Sequence, residues 1–402
     1  MVYFMDDYEF LVQAFKKINS AGKNSLGAVN RIGYSSTESK AHEALCSIAQ
    51  DMGFIFRNDQ VGNTFINPIE KDYCLIGSHL DSVPDGGQFD GVSGVLSGML
   101  LLKWNKEFKL NLPISVCAFR CEESSRFERA TIGSSLCTGS IKTDDLCSIK
   151  DKDGMSLYDA IKNCGFKPEP YLISGIKKYI ELHIEQGRVL ESRGINLGVV
   201  TSIAAPTRFE IKIMGTQDHS GATPMLLRRD SLCAAADIIK LVETLGIEES
   251  KHSTVATIGY IDNEPNAINV VPGFTRMLVD IRGINKDSIN YVVSALKKGT
   301  SDIFKKRKLN YTLIKISSED PVILDDEIVK GLEDAASMEN VKYYEMPSGA
   351  GHDAMELAKI TSAGMLFIPS KNGVSHQPKE YSDLADVITG AKVKMRYLKN
   401  IL

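Results

Sequence analysis

Residues 77–91 read G-S-H-L-D-S-V-P-D-G-G-Q-F-D-G. The apolar run Tyr73-Cys74-Leu75-Ile76 precedes them and reads as a buried strand ending at Gly77. His79 stands at the strand's end, with Asp81 two residues on. Residues i and i+2 of an extended segment point the same way, so the Asp81 carboxylate reaches the far ring nitrogen of His79. A metal-binding histidine usually has such a carboxylate behind it. The Gly- and Pro-rich loop then delivers a second carboxylate, Asp90. From Gly91 the chain reads as a helix packed through small residues, Gly94, Ser97 and Gly98. H-x-D alone reads more simply as a βα turn with a capping Asp. The stretch gains meaning from ligands further along the chain.

Those ligands are present. Pro113–Phe119 (P-I-S-V-C-A-F) reads as another buried strand, and it runs into Arg120-Cys121-Glu122-Glu123. Two adjacent carboxylates at a strand end repel unless cations or a proton compensate them. Beside a metal, one can ligate and the other can act as general base. His183 follows in E-L-H-I-E-Q-G, and His376 in G-V-S-H-Q-P. His79, Asp90, Glu123, His183 and His376 together make two metals' worth of ligands. A bridging Asp among imidazoles and carboxylates suits zinc or another divalent first-row metal such as Mn, Co or Ni.

The chain has 402 residues, which favours two domains over a single core. Hydrophobic residues make up 43% and charged residues 24%, an ordinary globular balance. A net charge of -4 and a pI near 6.0 offer no basic footprint for nucleic acid or anionic lipid. No apolar run approaches a membrane span. The acidic start M-V-Y-F-M-D-D-Y-E-F lacks a leader's basic beginning. The eight cysteines form no C-x-x-C pair, so reduced thiols of a cytoplasmic protein are expected.

Helical and strand patterns alternate along the chain. Residues 6–19 carry a helical stripe (Phe10, Leu11, Ala14, Phe15, Ile18), and Ser35 to Glu38 reads as a capping box opening a helix to about Met52. Short strands are expected at Phe54–Phe56 and Thr64–Ile66, a short helix at Leu157–Asn163, and a strand at Lys178–Ile184 carrying His183. The βαβ rhythm implies a mixed or parallel sheet with site residues at strand ends. Arg208–Met214 alternates polar and apolar, as a strand with one solvated face does. A helix from Asp230 to about Leu245, strands Ser253–Tyr260 and Thr275–Arg282, a helix from Lys286 to about Lys305 and a strand Asn310–Lys315 follow. This is β-α-β-β-α-β, a ferredoxin-like arrangement inserted at about 204–318. Arg208–Met214 reads as an edge strand of that unit. Lys305-Lys306-Arg307-Lys308 reads as a solvated helix end. Helices from about Asp325 and from Asp353 to Ala358, a strand Met365–Ile368 and a final helix return the chain to the first domain.

The motifs H-L-D-S-V with G-G-Q-F-D-G, E-E-S-S-R-F, H-I-E-Q-G-R-V-L-E, D-H-S-G-A-T-P-M, N-A-I-N-V-V-P-G, D-I-R-G, S-G-A-G-H-D-A-M and S-H-Q-P fall in one order from about residue 62 to 383. In this the chain resembles the hydantoinase/carbamoylase-type amidases of the M20 metallopeptidase clan. That branch holds N-carbamoyl-L-amino-acid hydrolases, β-ureidopropionase and allantoate amidohydrolase. The resemblance implies an α/β protein. A mixed-sheet, metallopeptidase-like catalytic domain (residues 1–203 and 319–402) would carry an inserted ferredoxin-like dimerisation and lid domain (204–318). It implies two divalent metal ions per subunit, Glu122 as general base, and a homodimer. The expected substrate is a small N-carbamoyl amino acid or ureido acid. Allantoate, or a peptide or acylated amino acid as elsewhere in the clan, remains an alternative.

The resemblance also gives roles to residues that are ambiguous by themselves. His219, otherwise an exposed loop histidine, would stabilise an oxyanion by a hydrogen bond. Arg282, otherwise a strand-end ion pair, would clamp the substrate carboxylate two-pronged, helped by Asn269. Gln186 and the bare backbone N–H of Gly351 would complete that grip. His352 and Asp353 read as structural, and His42 and His252 as surface residues without a role. Cys117 and Cys121 read as buried packing. There is no G-x-S-x-G, H-E-x-x-H, Walker loop or G-x-G-x-x-G, and S-x-x-K at Ser174–Lys177 and Ser294–Lys297 is too short to weigh. A catalytically silent binding protein is the rival from another class. It would have no chemical need for Glu122 beside five ligands.

Overall fold

The structure is a computed structural model, and it describes residues 6–170 and 172–402. Residues 1–5, half of the acidic start considered above, lie outside the described residues. The chain divides into two compact units. One runs to Thr201 and resumes at Leu324; the other is Ser202–Ile323, which contains the stretch 204–318.

In the first unit α1 (Asp7–Asn19) buries the expected stripe, Phe10, Leu11, Ala14, Phe15 and Ile18. At α2 (Ser36–Asp51) the capping box is only half formed. Ser35 Oγ accepts the Glu38 N–H at 3.3 Å, but the Glu38 carboxylate turns to Tyr34 N and to the buried Arg120 instead. Strands β1 (Phe56–Asn58), β2 (Thr64–Ile66) and β3 (Tyr73–His79) follow, then α3 (Val92–Glu107), β4 (Ile114–Phe119), α4 (Ile132–Thr138), α5 (Leu157–Asn163), β5 (Ile176–Ile184), α6 (Val189–Arg193) and β6 (Leu197–Ile203). The first strand therefore starts at Phe56 rather than spanning Phe54–Phe56. The first three turns of α3, residues 92–102, are small or apolar and buried on every side. A Cβ at Gly94 would lie 2.4 Å from the Leu182 carbonyl oxygen, and one at Gly98 would lie 2.9 Å from Val116, so these glycines let the helix sit down on β5 and β4.

The second unit contains β7 (Ala205–Met214), β8 (Asp218–His219), α7 (Ser231–Glu249), β9 (Val255–Glu264), β10 (Val270–Val271), β11 (Phe274–Gly283), α8 (Lys286–Arg307) and β12 (Asn310–Ser318). Its main sheet is antiparallel in the order β12-β7-β11-β9, the ferredoxin-like order of a βαββαβ unit. Strand β7 alternates buried and half-buried residues as predicted. It is not an edge, however: β11 and β12 pair on either side of it, and the edges are β9 and β12. A strand's alternation reports its faces and says nothing about its neighbours. The helices cover one face, with Ile238, Val242, Val292 and Leu296 packed on Phe209, Ile211 and Val279. Helix α8 ends at Arg307, and Lys308 caps it, so the basic run is a helix end.

The chain returns through β13 (Val322–Ile323), α9 (Asp326–Met338), β14 (Tyr343–Ser348), α10 (Asp353–Leu357), β15 (Ser362–Ile368) and α11 (Leu384–Ile401). Among the described residues the large sheet has nine strands, ordered β1-β2-β4-β3-β5-β15-β6-β13, with β14 also paired to β6. The central pairs β4/β3, β3/β5 and β5/β15 are parallel, so their C-terminal ends share one edge of the sheet. Short antiparallel strands flank them. All eight cysteines are unpaired thiols.

One lysine lies where no sequence pattern places a charge. Lys394 of α11 is fully buried, with Nζ 2.5 Å from Ser97 Oγ. Burial lowers its ammonium to about 7, against the smaller opposing pull of Glu181. The unfolded chain holds this proton up to pH ~10.4. Between about pH 7 and 10.4 the unfolded state therefore binds more protons, and the lysine's contribution to stability rises with pH by up to about 1.4 kcal/mol per unit. Lys394→Met should be more stable than the natural protein at pH 6 in urea unfolding, and that advantage should shrink steadily by pH 9. A difference independent of pH would show that the ammonium is not desolvated.

Candidate metal centre

The parallel strands bring the expected ligands to one edge. His79 ends β3, His183 lies one residue before the end of β5, Glu122 and Glu123 follow β4, and Asp90 sits on the loop entering α3. His376 comes from the loop after β15. Gly91, at φ +66°, gives the loop its bend, and a Cβ there would lie 2.6 Å from the His79 ring. The second glycine motif thus clears space for the first histidine.

Asp90 is the centre of the cluster. Its Oδ1 lies 3.2 Å from His79 Nε2 and 3.0 Å from His183 Nε2. Its Oδ2 lies 3.4 Å from His376 Nε2, which is also 3.2 Å from Glu123 Oε1. Two ligand groups result, His79–Asp90–His183 and Asp90–Glu123–His376, each with its donor atoms within 4.8 Å of one another. One carboxylate serves both. Gln186 Nε2 donates to Asp90 Oδ2 at 2.7 Å and lies 3.1 Å from His376 Nε2, so the expected substrate residue stands at the second group. Gln186 and His376 both hold left-handed backbone, at φ 58° and 57°. Non-glycine residues adopt it at a cost that is common at functional sites.

The donor atoms are aimed for ligation. The His183 Nδ1–H donates to the Ile184 carbonyl at 2.9 Å, which fixes the ring with Nε2 facing Asp90. That buried Nε2 has no hydrogen-bond partner among the described residues. His79 Nδ1 faces Asp81 Oδ1 at 3.3 Å, as the i, i+2 spacing predicts. Asp81 does more than this. Its two oxygens accept the backbone N–H groups of Glu122 at 2.9 Å and Glu123 at 3.0 Å, so it holds the adjacent carboxylates in place.

Charge makes the same point. Burial works against a charged Asp90, yet His183, His376 and His79 outweigh it and hold the carboxyl well below its usual range. Asp90 and Glu123 in turn push the His376 imidazole up to about 11. Burial raises Glu122 well above the carboxylate range; His79 opposes this, and Glu123, Asp353 and Asp81 add to it. Four carboxylates thus face three imidazoles, all of them buried except that of His376, and only added protons or cations balance them. Divalent cations fit better than protons, because imidazole nitrogens and carboxylate oxygens converge in two groups.

A buried layer behind the cluster was not legible in advance. Arg31 donates through Nε to the Leu80 carbonyl, between His79 and Asp81, at 2.6 Å. Glu38 accepts from Arg120 Nη1 at 2.9 Å and from Cys121 N at 2.8 Å, fixing the approach to Glu122. Glu181 accepts from Ser78 Oγ and Ala354 N. Asp353 accepts from Ser134 Oγ at 2.5 Å, and the His352 ring packs 4.5 Å from that of His183, so both are buried supports as expected. Gly351 lies immediately before them, at the start of α10. His42 is a correction: it is buried, with Nδ1 2.8 Å from Thr64 Oγ1, because its helix face turns inward onto β2. His252 is exposed. Cys117 and Cys121 are buried as expected.

The second unit holds the remaining candidates. His219 and Asn269 are neighbours: β8 pairs with β10, and Ser220 N donates to the Asn269 carbonyl at 3.1 Å. His219 Nδ1 accepts the N–H groups of Gly221 and Ala222, so its proton lies on Nε2 and that nitrogen is a donor. Arg282, on β11, is engaged by Asp280, with Nε and Nη2 each 3.1 Å from Oδ2. The strand-end ion pair therefore exists, and it orients the guanidinium.

Known proteins share this architecture. A solved hydantoinase/carbamoylase-family amidase from Burkholderia multivorans superposes with a TM-score of 0.90 at 29% identity, over 98% of this chain and 97% of that one. An N-carbamoyl-L-amino acid amidohydrolase of Geobacillus stearothermophilus is 35% identical over 96% of both chains. An allantoate amidohydrolase of Escherichia coli is 34% identical over 93% of both. Residues 75–400 match peptidase family M20/M25/M40. With most of its length matched and its carboxylates and imidazoles gathered in one cluster, the chain belongs to peptidase family M20/M25/M40.

Proposed function

We propose that the chain is a dinuclear metal-dependent amidohydrolase that cleaves the linear C–N bond of N-carbamoyl-L-amino acids to the amino acid, ammonia and carbon dioxide. Its family makes it a hydrolase of C–N bonds. The observation that carries the finer reading is Asp90, whose two oxygens face two separate ligand groups. His79, Asp90 and His183 would hold one ion, and Asp90, Glu123 and His376 the other. Bound divalent cations such as Zn, Mn, Co or Ni supply positive charge that lowers the pKa of water and polarises a carbonyl.

The chain's own residues do the rest. Glu122, 3.8 Å from His79 Nε2, takes the proton of the attacking water. Cationic charge beside it offsets the burial that otherwise keeps it protonated. Water adds to the ureido carbonyl, and the Nε2–H of His219 donates to the developing oxyanion. Glu122 then passes its proton to the amino-acid nitrogen as the C–N bond breaks. The carbamate left behind decomposes to ammonia and carbon dioxide. Arg282, Asn269, Gln186 and the Gly351 amide grip the substrate carboxylate. Allantoate offers the same ureido group near a carboxylate and is the second reading, favoured by the nearly equal identity to the E. coli relative.

The protein would work as a homodimer, with His219 serving the neighbouring subunit's site. Strand β9 is an edge of the second unit, and it exposes Val255, Tyr260 and Ile261. An apolar groove lies between it and α7, lined by Ile239, Ile247 and Ile258 among others. An exposed edge with apolar neighbours is a template for a second copy. Among the described residues no helix is long and apolar enough to cross a membrane.

Chelation should abolish ammonia release, and a divalent metal should restore it. Glu122→Gln should keep its metal but lose at least ~10²-fold in kcat, the usual scale for a missing general base. Glu123→Gln should instead lose metal. Swapped phenotypes in metal analysis and kinetics would reverse the two assignments.

Arg282→Lys should reduce kcat/KM for N-carbamoyl amino acids and allantoate far more than for their carboxamides, because a point charge cannot replace a two-pronged clamp. Assayed across that panel, equal losses would remove Arg282 from the substrate grip.

Glu122→Gln and His219→Ala chains should each be nearly inactive. After subunit exchange, mixed dimers carry one intact site, and roughly a quarter of the natural activity should return. No recovery despite proven exchange would place His219 in its own subunit's site or remove it from catalysis.

A further inference from the structure

Three of the five expected ligands, His79, His183 and Glu123, stand at strand ends or directly follow them, and Asp90 lies where its loop enters α3. His376 has no such anchor. It stands on a loop, is exposed, and holds left-handed backbone. Something else must keep it opposite Asp90, and the buried carboxylate of Glu380 is placed to do so. Glu380 Oε1 accepts the backbone N–H groups of Phe89 at 2.8 Å and Asp90 at 3.0 Å. Its Oε2 accepts from Ser375 Oγ at 3.0 Å and from the His376 N–H at 3.3 Å. One oxygen thus holds the Asp90 loop and the other holds the His376 loop. Ser375 Oγ also lies 3.2 Å from Asp90 Oδ2, so its single proton sits between the two carboxylates.

The glycines of the Asp90 loop are shaped for this contact. A Cβ at Gly87 would lie 2.0 Å from the Glu380 carboxyl carbon, so no larger residue fits there without displacing it. The loop motif G-G-Q-F-D-G and the segment S-H-Q-P-K-E, remote in sequence, are therefore halves of one device. Nothing in the residue pattern alone distinguishes Glu380 from an exposed carboxylate four residues past a histidine.

We infer that Glu380 is a positioning residue that ties the Asp90 loop to the His376 loop and so holds the Asp90–Glu123–His376 group in shape. This rests on the dinuclear reading above. It follows that the two cation sites depend on Glu380 unequally. His79 and His183 are carried by β3 and β5, so the group they form with Asp90 depends on the clamp through Asp90 alone. The His376 group depends on it through both Asp90 and His376. Loss of a residue that orients metal ligands typically lowers affinity about 10–100-fold.

The test is calorimetric titration of chelator-stripped protein with Mn²⁺ alone, beside thermal unfolding of the same samples. The natural chain should bind two ions. Glu380→Ala should keep one near its original affinity and bind the other about 10–100-fold more weakly. Glu380→Gln should fall between, because one oxygen remains to accept from one of the two loops. This variant carries the test if the alanine variant does not fold. Asp325→Ala removes a helix cap in the same unit, where Asp325 accepts from Glu327 N and Ile328 N, and serves as control. It should lose thermal stability yet bind two ions normally. If the Glu380 variants lose stability but bind both ions as the natural chain does, Glu380 is a structural clamp only and the inference fails. Equal weakening of both sites also overturns it. A natural chain that binds fewer than two ions overturns the dinuclear reading itself, and this inference with it.

Discussion

The Asp90 carboxylate is the constraint around which the rest is arranged. It is buried, with imidazoles on both sides, and each oxygen faces a different ligand group. A carboxylate in that position is costly without compensation, and the surroundings supply it from several directions. Gln186 Nε2 donates to one oxygen, the histidines approach both, and Glu380 holds the backbone that carries it. The loop can make this approach because Gly91 clears the His79 ring and Gly87 clears Glu380. Sequence, backbone and charge meet at this one residue.

The sheet supplies the geometry. Two parallel pairings put the ends of β3, β4 and β5 side by side, so residues far apart in sequence converge at one edge. Behind them a second set of buried charges sets the angles. Asp81 holds the Glu122–Glu123 backbone, Arg31 holds the Leu80 carbonyl, and the Glu38–Arg120 pair fixes the strand end before Glu122. Removing one partner of a buried pair leaves an uncompensated charge. These residues therefore bear on the shape of the centre without touching a substrate.

Much of this was legible in the residues. Periodicity located the long helices and the buried strands, because apolar stripes and runs follow directly from burial. The convergence of His79, Asp90, Glu123, His183 and His376 was legible because a parallel sheet brings residues at its strand ends, and on the loops beyond them, to one edge. What escaped was long-range. Periodicity shows that β7 has a solvated face, but it cannot show that two strands flank it. The Glu38 side chain satisfies a local capping motif on paper and in the fold serves a distant arginine instead. His42 has polar neighbours in sequence, yet its helix face is buried against Thr64 of β2. Glu380 and Lys394 look like ordinary surface charges until the fold closes over them.

The most direct test of the shared carboxylate is anomalous diffraction from crystals of the protein loaded with Mn²⁺ or Zn²⁺, recorded at the edge of the metal used. The account predicts two peaks, one between Asp90, His79 and His183 and one between Asp90, Glu123 and His376. A single peak at full loading, or two peaks that do not share Asp90, would contradict it.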